Sequence, residues 1–445
     1  MPPVLPFTVN TLNDATTSPT PERRSGRRLS ARDYLTLNVY WFALSFLWNS
    51  MGPILLPAMV PLLVPVSQKG TALGLLSALG LIVAIIVQPL AGAWSDRHTT
   101  SWGRRRPYIA LGTLGDVAFL AIMAFAGNYW VLLLGYLLLQ TSSNVAHGPY
   151  QGYIPELVPV ARRGAVTGVK QFLEIVGIIV TSLAVGNLVA GGQTVLAFAA
   201  IVFFLLATMA ITVAFVDEVP FEPDEHGPAP SAPYTQPTDP SPVVAVSTLA
   251  AVFYNRDFFL WLLSRLLILL GGNLVRNYAM YFLGDVLGLP NPAAEVGNLL
   301  AIIAVAIAVV VYPAGVLSDR WGRKWLIVAS GLLGALGALL LASATSLPMV
   351  LADGALIGVS LGIFLSVNWA WGADLIPAGD SGRYLGISNL ATAGAGVLAG
   401  LGGPLLDYAN AQTPNLGYPL LFVSAAVCYV LGTLLVLGVR DLRRT

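Results

Sequence analysis

A few ionisable side chains interrupt long apolar stretches of this sequence, and their spacing indicates possible chemistry. Lys170 and Glu174 are four residues apart, so on a helix a cation and a carboxylate can pair. Asp116 stands alone in another apolar stretch. A carboxylate in a partly dry cavity can take up or lose a proton as access to water changes. Glu174 and Asp116 are therefore candidate proton carriers, with a static ion pair and a structural hydrogen bond as the respective alternatives.

Two other segments carry polar and aromatic residues at helical spacing. One contains Gln140, Asn144, His147 and Gln151, and the other contains Asn38, Trp41, Ser45, Trp48 and Asn49. Aromatic rings and amides suit a sugar, whose C–H patches stack on rings while its hydroxyls need directional partners. The alternative is hydrogen bonding between helices with tryptophan anchoring at the membrane interface. We predict substrate contacts from Trp48, Asn49, Asn144, Gln151, Lys170 and Arg265.

Charged loops form a third pattern. SDRHTTSWGRRR begins at Ser95 and SDRWGRK begins at Ser318. Aspartates flanked by arginines can form a charge network between helix ends, whereas simple anchoring of a loop needs no aspartate. We hypothesise a cytoplasmic gate, shut when the cavity opens outward, that comprises Asp96, Arg97, Arg104, Arg105, Glu156, Asp319, Arg320, Arg323 and Asp374.

Composition places these residues in a membrane. Of 445 residues, 56% are hydrophobic and only 10% are charged, against about a quarter charged in soluble domains. The net charge of +1 argues against a nucleic-acid partner, and a single cysteine excludes an internal disulfide. The sequence has neither a Walker-type lysine nor a metal-binding spacing. We therefore expect no enzyme activity, no cofactor and no bound metal.

Hydropathy predicts an all-α membrane protein with twelve transmembrane helices, because apolar runs long enough to cross about 30 Å of hydrocarbon recur throughout. The predicted spans are Tyr34–Val64, Leu73–Trp94, Tyr108–Gly127, Trp130–Tyr153, Val166–Ala190, Thr194–Val216, Phe258–Leu283, Val296–Val316, Leu326–Ala344, Met349–Ala373, Leu385–Leu406 and Tyr418–Val439. We expect a disordered tail at 1–33, six-helix bundles at 34–216 and 256–439, a cytoplasmic linker at 217–255, and a tail at 440–445.

The two halves repeat each other. GAWSDR at Gly92–Arg97 recurs as GVLSDR at Gly315–Arg320, and ELVP at Glu156–Pro159 recurs as DLIP at Asp374–Pro377. Such repeats place a substrate site between two bundles whose rocking exposes it alternately to the two sides. Basic residues gather on the side of the termini, so both termini are predicted to be cytoplasmic, in the plasma membrane.

The first loop carries a recognisable signature. VQPLAGAWSDRHTTSWGRRRPYI at Val87–Ile109 resembles the sucrose–proton symporters of the glycoside–pentoside–hexuronide:cation group, within the major facilitator superfamily. NVAHGPYQGYIPELVP and GIFLSVNWAWGADLIP extend the resemblance to the fourth and tenth helices. The resemblance implies the major facilitator fold and import of an α-linked disaccharide, such as sucrose or maltose, coupled to protons.

Three positions depart from the pattern of that group. The plant carriers have Asp and Arg where Gln140 and Gln151 stand, and bacterial relatives have Asp at the position of Asn368. Coupling is therefore assigned to Glu174 or Asp116, with another cation or no coupling as alternatives. The expected partners are a sugar, protons and membrane lipid, and the protein is expected to be a monomer. The rival functions are an uncoupled facilitator, an exporter of another small polar solute, and a non-transporting membrane sensor.

Overall fold

The computed structural model describes residues 30–218, 255–375 and 381–440, with the side chains of 160–161, 373–374 and 381–386 left undescribed. These ranges contain twelve long helices. They are α1 Ala31–Leu63, α2 Lys69–Arg97, α3 Arg106–Ala124, α4 Tyr129–Gln151, α5 Val160–Ala190, α6 Thr194–Phe215, α7 Arg256–Asp285, α8 Pro292–Trp321, α9 Arg323–Ala342, α10 Leu347–Leu375, α11 in two segments Ser381–Gly400 and Gly402–Gln412, and α12 Gly417–Leu437. Of the tails predicted at 1–33 and 440–445, residues 1–29 and 441–445 lie outside the described residues, as does most of the predicted linker.

Eleven of these helices are long and apolar enough to cross a membrane, which confirms an all-α, multi-pass membrane protein. The exception is α4, which is 23 residues long but carries a run of polar residues in its second half. It packs between α2 and α3, where its polar side chains find partners in protein instead of lipid.

The packing repeats between the two halves, as predicted for a pseudo-repeat. In the first half α1 packs against α5 and α6, α4 packs against α2 and α3, and α3 also packs against α6. In the second half α7 packs against α11 and α12, α10 packs against α8 and α9, and α9 also packs against α12. Each pair in one half therefore has its counterpart six helices later.

The halves meet along two seams, α2 with α11 and α5 with α8. Glycines allow the backbones to touch at both seams. A Cβ atom on Gly74 would lie 2.1 Å from the carbonyl oxygen of Gly400, and one on Gly297 would lie 2.3 Å from that of Ser182. Gly74 and Gly297 lie near the starts of α2 and α8, and we call this end of the protein the closed end. The opposite end, which holds the arginine-rich loop after α2, is called the basic end.

Two helices are less regular than predicted. In α1 the α-helix gives way to a π-helical turn over Met51–Leu55, and Pro53 lies within that turn. A proline removes a backbone N–H from the helix ladder, and π turns occur often at functional sites. The predicted single span Leu385–Leu406 is instead two segments that meet at Leu401 and continue to Gln412.

Candidate functional site

Lys170 and Glu174 lie on α5 and face α1. Lys170 Nζ is 3.4 Å from Glu174 Oε1, and each side chain is 23% exposed. The ammonium also lies 4.0 Å from the centroid of the Trp41 ring. Cation–π attraction and the carboxylate therefore hold the Lys170 ammonium in place, and part of the side chain stays exposed. The predicted pairing of these two residues is present in the structure.

The α4 stripe divides into two parts. Gln151 and His147 are joined by a 2.9 Å hydrogen bond between their Nε2 atoms, and the His147 ring lies 5.1 Å from that of Trp41. These side chains belong to the group around Lys170. Gln140 instead donates to the Tyr136 hydroxyl, and Asn144 donates to the Gln140 backbone at 2.7 Å; both amides are buried.

Asp116 lies elsewhere. It is fully buried between α3 and α4, where the Ser142 hydroxyl donates to its carboxylate. The structure therefore does not bring Asp116 to Glu174. Instead, Asp116 accepts a hydrogen bond that joins α3 to α4.

The second half contributes a cluster around Arg265 of α7. Its guanidinium donates to the Asn368 amide oxygen on α10 and, at 3.2 Å, to the Thr392 hydroxyl on α11. The charge also lies 4.6 Å from the centroid of the Trp369 ring. Arg265 is 2% exposed, so a buried cation here is held by neutral groups and an aromatic face.

A second arginine of α7 links the halves. Arg276 Nη2 donates to Asn49 Oδ1 on α1 at 2.8 Å. The amide of Asn49 in turn donates to Ser45, whose hydroxyl donates to the backbone carbonyl oxygen of Glu174 at 2.7 Å. The neighbouring Trp48 is half-buried against the hydrophobic core.

Several residues of this region were not among the predicted contacts. Trp369 and Thr392 touch Arg265, Trp41 covers Lys170, and Arg276 bonds Asn49. Trp41 belongs to a polar stripe visible in the sequence, so the signal was present. The contacts of Thr392 and Arg276 depend on distant helices, which no local pattern reveals.

Four of the predicted gate residues of the first half, Asp96, Arg104, Arg105 and Glu156, assemble at the basic end. Arg105 Nη2 lies 2.7 Å from Asp96 Oδ1 and also forms an ion pair with Glu156. Arg104 Nη2 lies 2.8 Å from the same Asp96 oxygen. All of these contacts join α2, α3 and the short helix Tyr153–Leu157 after α4. They fasten helices within the first half.

Arg105 is the buried member of this cluster. Burial alone would lower its pKa, but the hydrogen bonds and charges of Glu156 and Asp96 outweigh that effect and raise the pKa above its ordinary value. The guanidinium therefore stays charged at the helix junction.

Sequence reasoning missed Glu218, which follows α6. Its carboxylate accepts hydrogen bonds from the backbone N–H groups of Arg104, Arg105 and Arg106 at the start of α3, at 2.5, 3.0 and 2.8 Å. The Tyr153 hydroxyl donates to the same carboxylate at 2.5 Å. An anion at a helix N-terminus satisfies free N–H groups and the helix dipole, so Glu218 fixes the end of α6 to α3.

The other predicted gate residues lie along the basic end of the protein. Arg97, Asp319 and Arg320 are exposed at the basic end, and Arg323 donates to the backbone carbonyl of Ala370. Asp374 lies near the end of α10 at a position where only the backbone is described.

Polar contacts between the halves occur at the closed end. Lys69 Nζ donates to Asp285 Oδ2 at 2.5 Å, and the lysine side chain is 8% exposed. Asp407 of α11 accepts from the backbone N–H groups of Gly70 and Thr71 at 3.0 and 2.6 Å, and so caps α2 from the other half. These contacts hold the two halves together at the closed end.

Comparisons with known proteins agree with this architecture. The family described as MFS/sugar transport protein matches residues 69–438. The fosmidomycin resistance protein of Escherichia coli (strain K12) is 24% identical over 373 residues, which is 82% of this chain and 84% of that protein. A lactose permease of Lactobacillus helveticus is 28% identical over 285 residues, 58% of this chain and 42% of that protein.

A sucrose transport protein of Oryza sativa subsp. japonica is 27% identical over 213 residues, 38% of this chain and 38% of that protein. The chain thus spans less than half the length of both of these sugar transport proteins. The crystal structure of the nucleoside transporter NupG superposes with a TM-score of 0.69 at 14% identity, covering 91% of this chain and 98% of that one. This last likeness is one of fold. Because the family match runs from the start of α2 to the end of α12, the chain belongs to the MFS/sugar transport protein family, and it is a multi-pass membrane transporter and not an enzyme.

Proposed function

We propose that this protein is a secondary active transporter that imports a disaccharide such as sucrose or maltose together with protons, by alternating access. The observation that carries the proposal is the Lys170–Glu174 pair beneath Trp41, an ionisable pair within a membrane span that remains partly exposed. Ionisable groups inside a membrane are costly, and they are typical of substrate or proton pathways.

Side chains in both halves of the protein have the chemistry that a sugar needs. Trp41 and Trp369 offer flat rings, one in each half of the protein. Asn49 and Gln151 offer amides that can both donate and accept, while Arg265 offers only donors. We assign substrate contacts to Trp48, Asn49, Asn144, Gln151, Lys170 and Arg265, as the sequence predicted, and add Trp41 and Trp369.

Proton coupling is assigned to Glu174. While Glu174 is ionised, it holds Lys170; once it is protonated, the ammonium is free to donate to a sugar hydroxyl. Binding of a proton and binding of sugar then favour each other. Entry of one proton gains about 2.3 kcal/mol per 100 mV of membrane potential, enough to drive accumulation.

The position of the protein follows from the same proposal. With the basic end cytoplasmic and the protein in the plasma membrane, the closed end faces outward. Asp96, Arg104, Arg105 and Glu156 then hold three helices of the first half as one unit on the cytoplasmic side. Arg97, Asp319, Arg320, Arg323 and Asp374 complete the proposed gate region.

Uptake into liposomes tests the proposal. The purified protein is reconstituted, a pH gradient that is acidic outside is imposed, and radiolabelled sucrose, maltose, lactose and a nucleoside are compared. We expect one disaccharide to accumulate above its external concentration and a protonophore to abolish this. Accumulation that persists with the protonophore would rule out coupling to protons.

A second candidate is export of a small polar solute. The fosmidomycin resistance protein aligns with 82% of this chain, more than either sugar transport protein reported above. Fosmidomycin loaded inside the same liposomes distinguishes the two functions. Efflux of fosmidomycin driven by an opposing pH gradient, without uptake of any disaccharide, would favour the exporter.

A further inference from the structure

Three hydrogen bonds in series run from the second half of the protein to the backbone of Glu174. Arg276 Nη2 on α7 donates to Asn49 Oδ1 on α1 at 2.8 Å. Asn49 Nδ2 donates to Ser45 Oγ at 3.3 Å, and Ser45 Oγ donates to the carbonyl oxygen of Glu174 on α5 at 2.7 Å. The first bond crosses between the halves, and the last ends on the helix that carries the proposed proton site.

The first bond is suited to breaking. Arg276 is an exposed residue within the span of α7, and its hydrogen-bonding partner Asn49 is a neutral amide. A neutral amide balances a cation less than a carboxylate does, and water can replace it at an exposed position. Arg276 can therefore release Asn49 when the halves separate, and this step breaks no ion pair with a carboxylate.

The helix that receives this bond is irregular directly beyond it. The π-helical turn Met51–Leu55 begins two residues after Asn49 and contains Pro53. This turn packs against α5, α7 and α8, so both halves touch it. Bends in helices concentrate at prolines and π turns, which makes this the point where α1 can change direction.

We propose that Arg276 is a positioning residue that joins closure of the two halves to the placement of Glu174, through Asn49 and Ser45. The inference rests on the proposed role of Glu174 in proton coupling. In the closed arrangement the three bonds fix the turn of α5 on which Glu174 and Lys170 lie. When the closed end opens, Arg276 releases Asn49, and the separation of Glu174 from Lys170 changes.

Closure is measured without any sugar. Spin labels are placed at Val66→Cys and Tyr408→Cys, which are 68% and 69% exposed at the closed end of opposite halves, in a Cys428→Ser background. We expect Arg276→Gln to raise the fraction of molecules with a long label separation at least threefold. Arg276→Lys should give an intermediate fraction. The control is Arg162→Gln, at an exposed arginine of the basic end, and it should leave the fraction with a long label separation unchanged.

Transmission is measured with Ser45→Ala, which removes the second and third bonds because both use Ser45 Oγ. The bond from Arg276 to Asn49 is kept, and Asn49 still donates to the Ser45 backbone oxygen at 2.8 Å. We expect Ser45→Ala to keep the closed label distance. Both Ser45→Ala and Arg276→Gln should lower uphill accumulation relative to sugar exchange. The double variant should be no worse than Arg276→Gln alone, because both changes break one series of bonds.

Two results would overturn the inference. Unchanged label distances in Arg276→Gln and in Asn49→Ala would show that the contact does not hold the halves. A normal ratio of accumulation to exchange in Ser45→Ala would show that nothing is transmitted to Glu174. If the unmodified protein moved no sugar at all, the proposed function and the coupling would both fail, and the label distances would still decide the role of Arg276 in closure.

Discussion

Lys170 Nζ lies 3.4 Å from Glu174 Oε1, within a helix that crosses the membrane. A cation and a carboxylate at this separation form a pair whose attraction disappears when the carboxylate is protonated.

Glu174→Gln should abolish accumulation of sugar against its gradient while exchange of labelled for unlabelled sugar continues. The amide keeps the shape of the carboxyl group but cannot take up the proton. Glu295→Gln is the matched control, because Glu295 is a glutamate in the first turn of α8, bonded to Asn298. Loss of both accumulation and exchange in Glu174→Gln would instead indicate a role in binding sugar.

Asp116→Asn should retain accumulation. Asp116 accepts from Ser142 between α3 and α4, and an asparagine oxygen can accept the same hydrogen bond. The assay is pH-driven uptake beside that of Glu174→Gln. Loss of accumulation in Asp116→Asn, with exchange intact, would move the proton site to α3.

Arg265→Lys should raise the KM for sugar about tenfold or more, because one good hydrogen bond to a charged donor is worth roughly 1.5–3 kcal/mol. A lysine cannot reach Asn368 and Thr392 with the planar fork that Arg265 uses. Concentration-dependent uptake gives the KM. The distance between spin labels at Val66→Cys and Tyr408→Cys checks that the fold is unchanged. An unaltered KM would remove Arg265 from the substrate site.

Arg105→Gln should destabilise the first half by about 1–3 kcal/mol, since it removes the buried cation that pairs with two carboxylates and leaves them the more exposed Arg104. Arg105 is 5% exposed and contacts Asp96 and Glu156. Thermal unfolding in detergent measures the effect, with Arg162→Gln as the exposed control. Equal melting temperatures for both variants would show that the cluster does not hold α2, α3 and α4 together.

Gly74→Leu should hold the seam between α2 and α11 apart, because even a Cβ atom would lie 2.1 Å from the Gly400 carbonyl oxygen. Uptake should fall to background while the protein still reaches the membrane. Gly164→Leu on α5 is the control, since nothing lies within 4 Å of a Cβ atom there. Normal uptake by Gly74→Leu would mean that the seam need not close tightly during transport.

Local spacing predicted the features that depend on one helix or on a repeated loop. Four-residue spacing gave the Lys170–Glu174 pair, and the repeated SDR loops gave the two halves and the cluster around Arg105. Contacts between distant parts of the chain could not be read in this way. Glu218 caps α3 from 113 residues away, and Arg276 meets Asn49 across 227 residues.

Asp116 shows a different limit of sequence reasoning. A lone carboxylate in an apolar stretch has the same sequence signature whether it faces a cavity or a neighbouring helix. Only the packing of α3 on α4, with Ser142 at the contact, distinguishes the two cases.

The polar composition of α4 has a consequence for biosynthesis. A segment that carries Gln140, Asn144 and His147 gains less from partitioning into lipid than its eleven companions do, so it should enter the bilayer poorly alone. The preceding helix supplies Asp116, which accepts a hydrogen bond from Ser142 and so keeps that hydroxyl from facing lipid without a partner. We therefore expect the translocon to release α3 and α4 as a hairpin, and the fourth span to insert efficiently only when the third has been made before it.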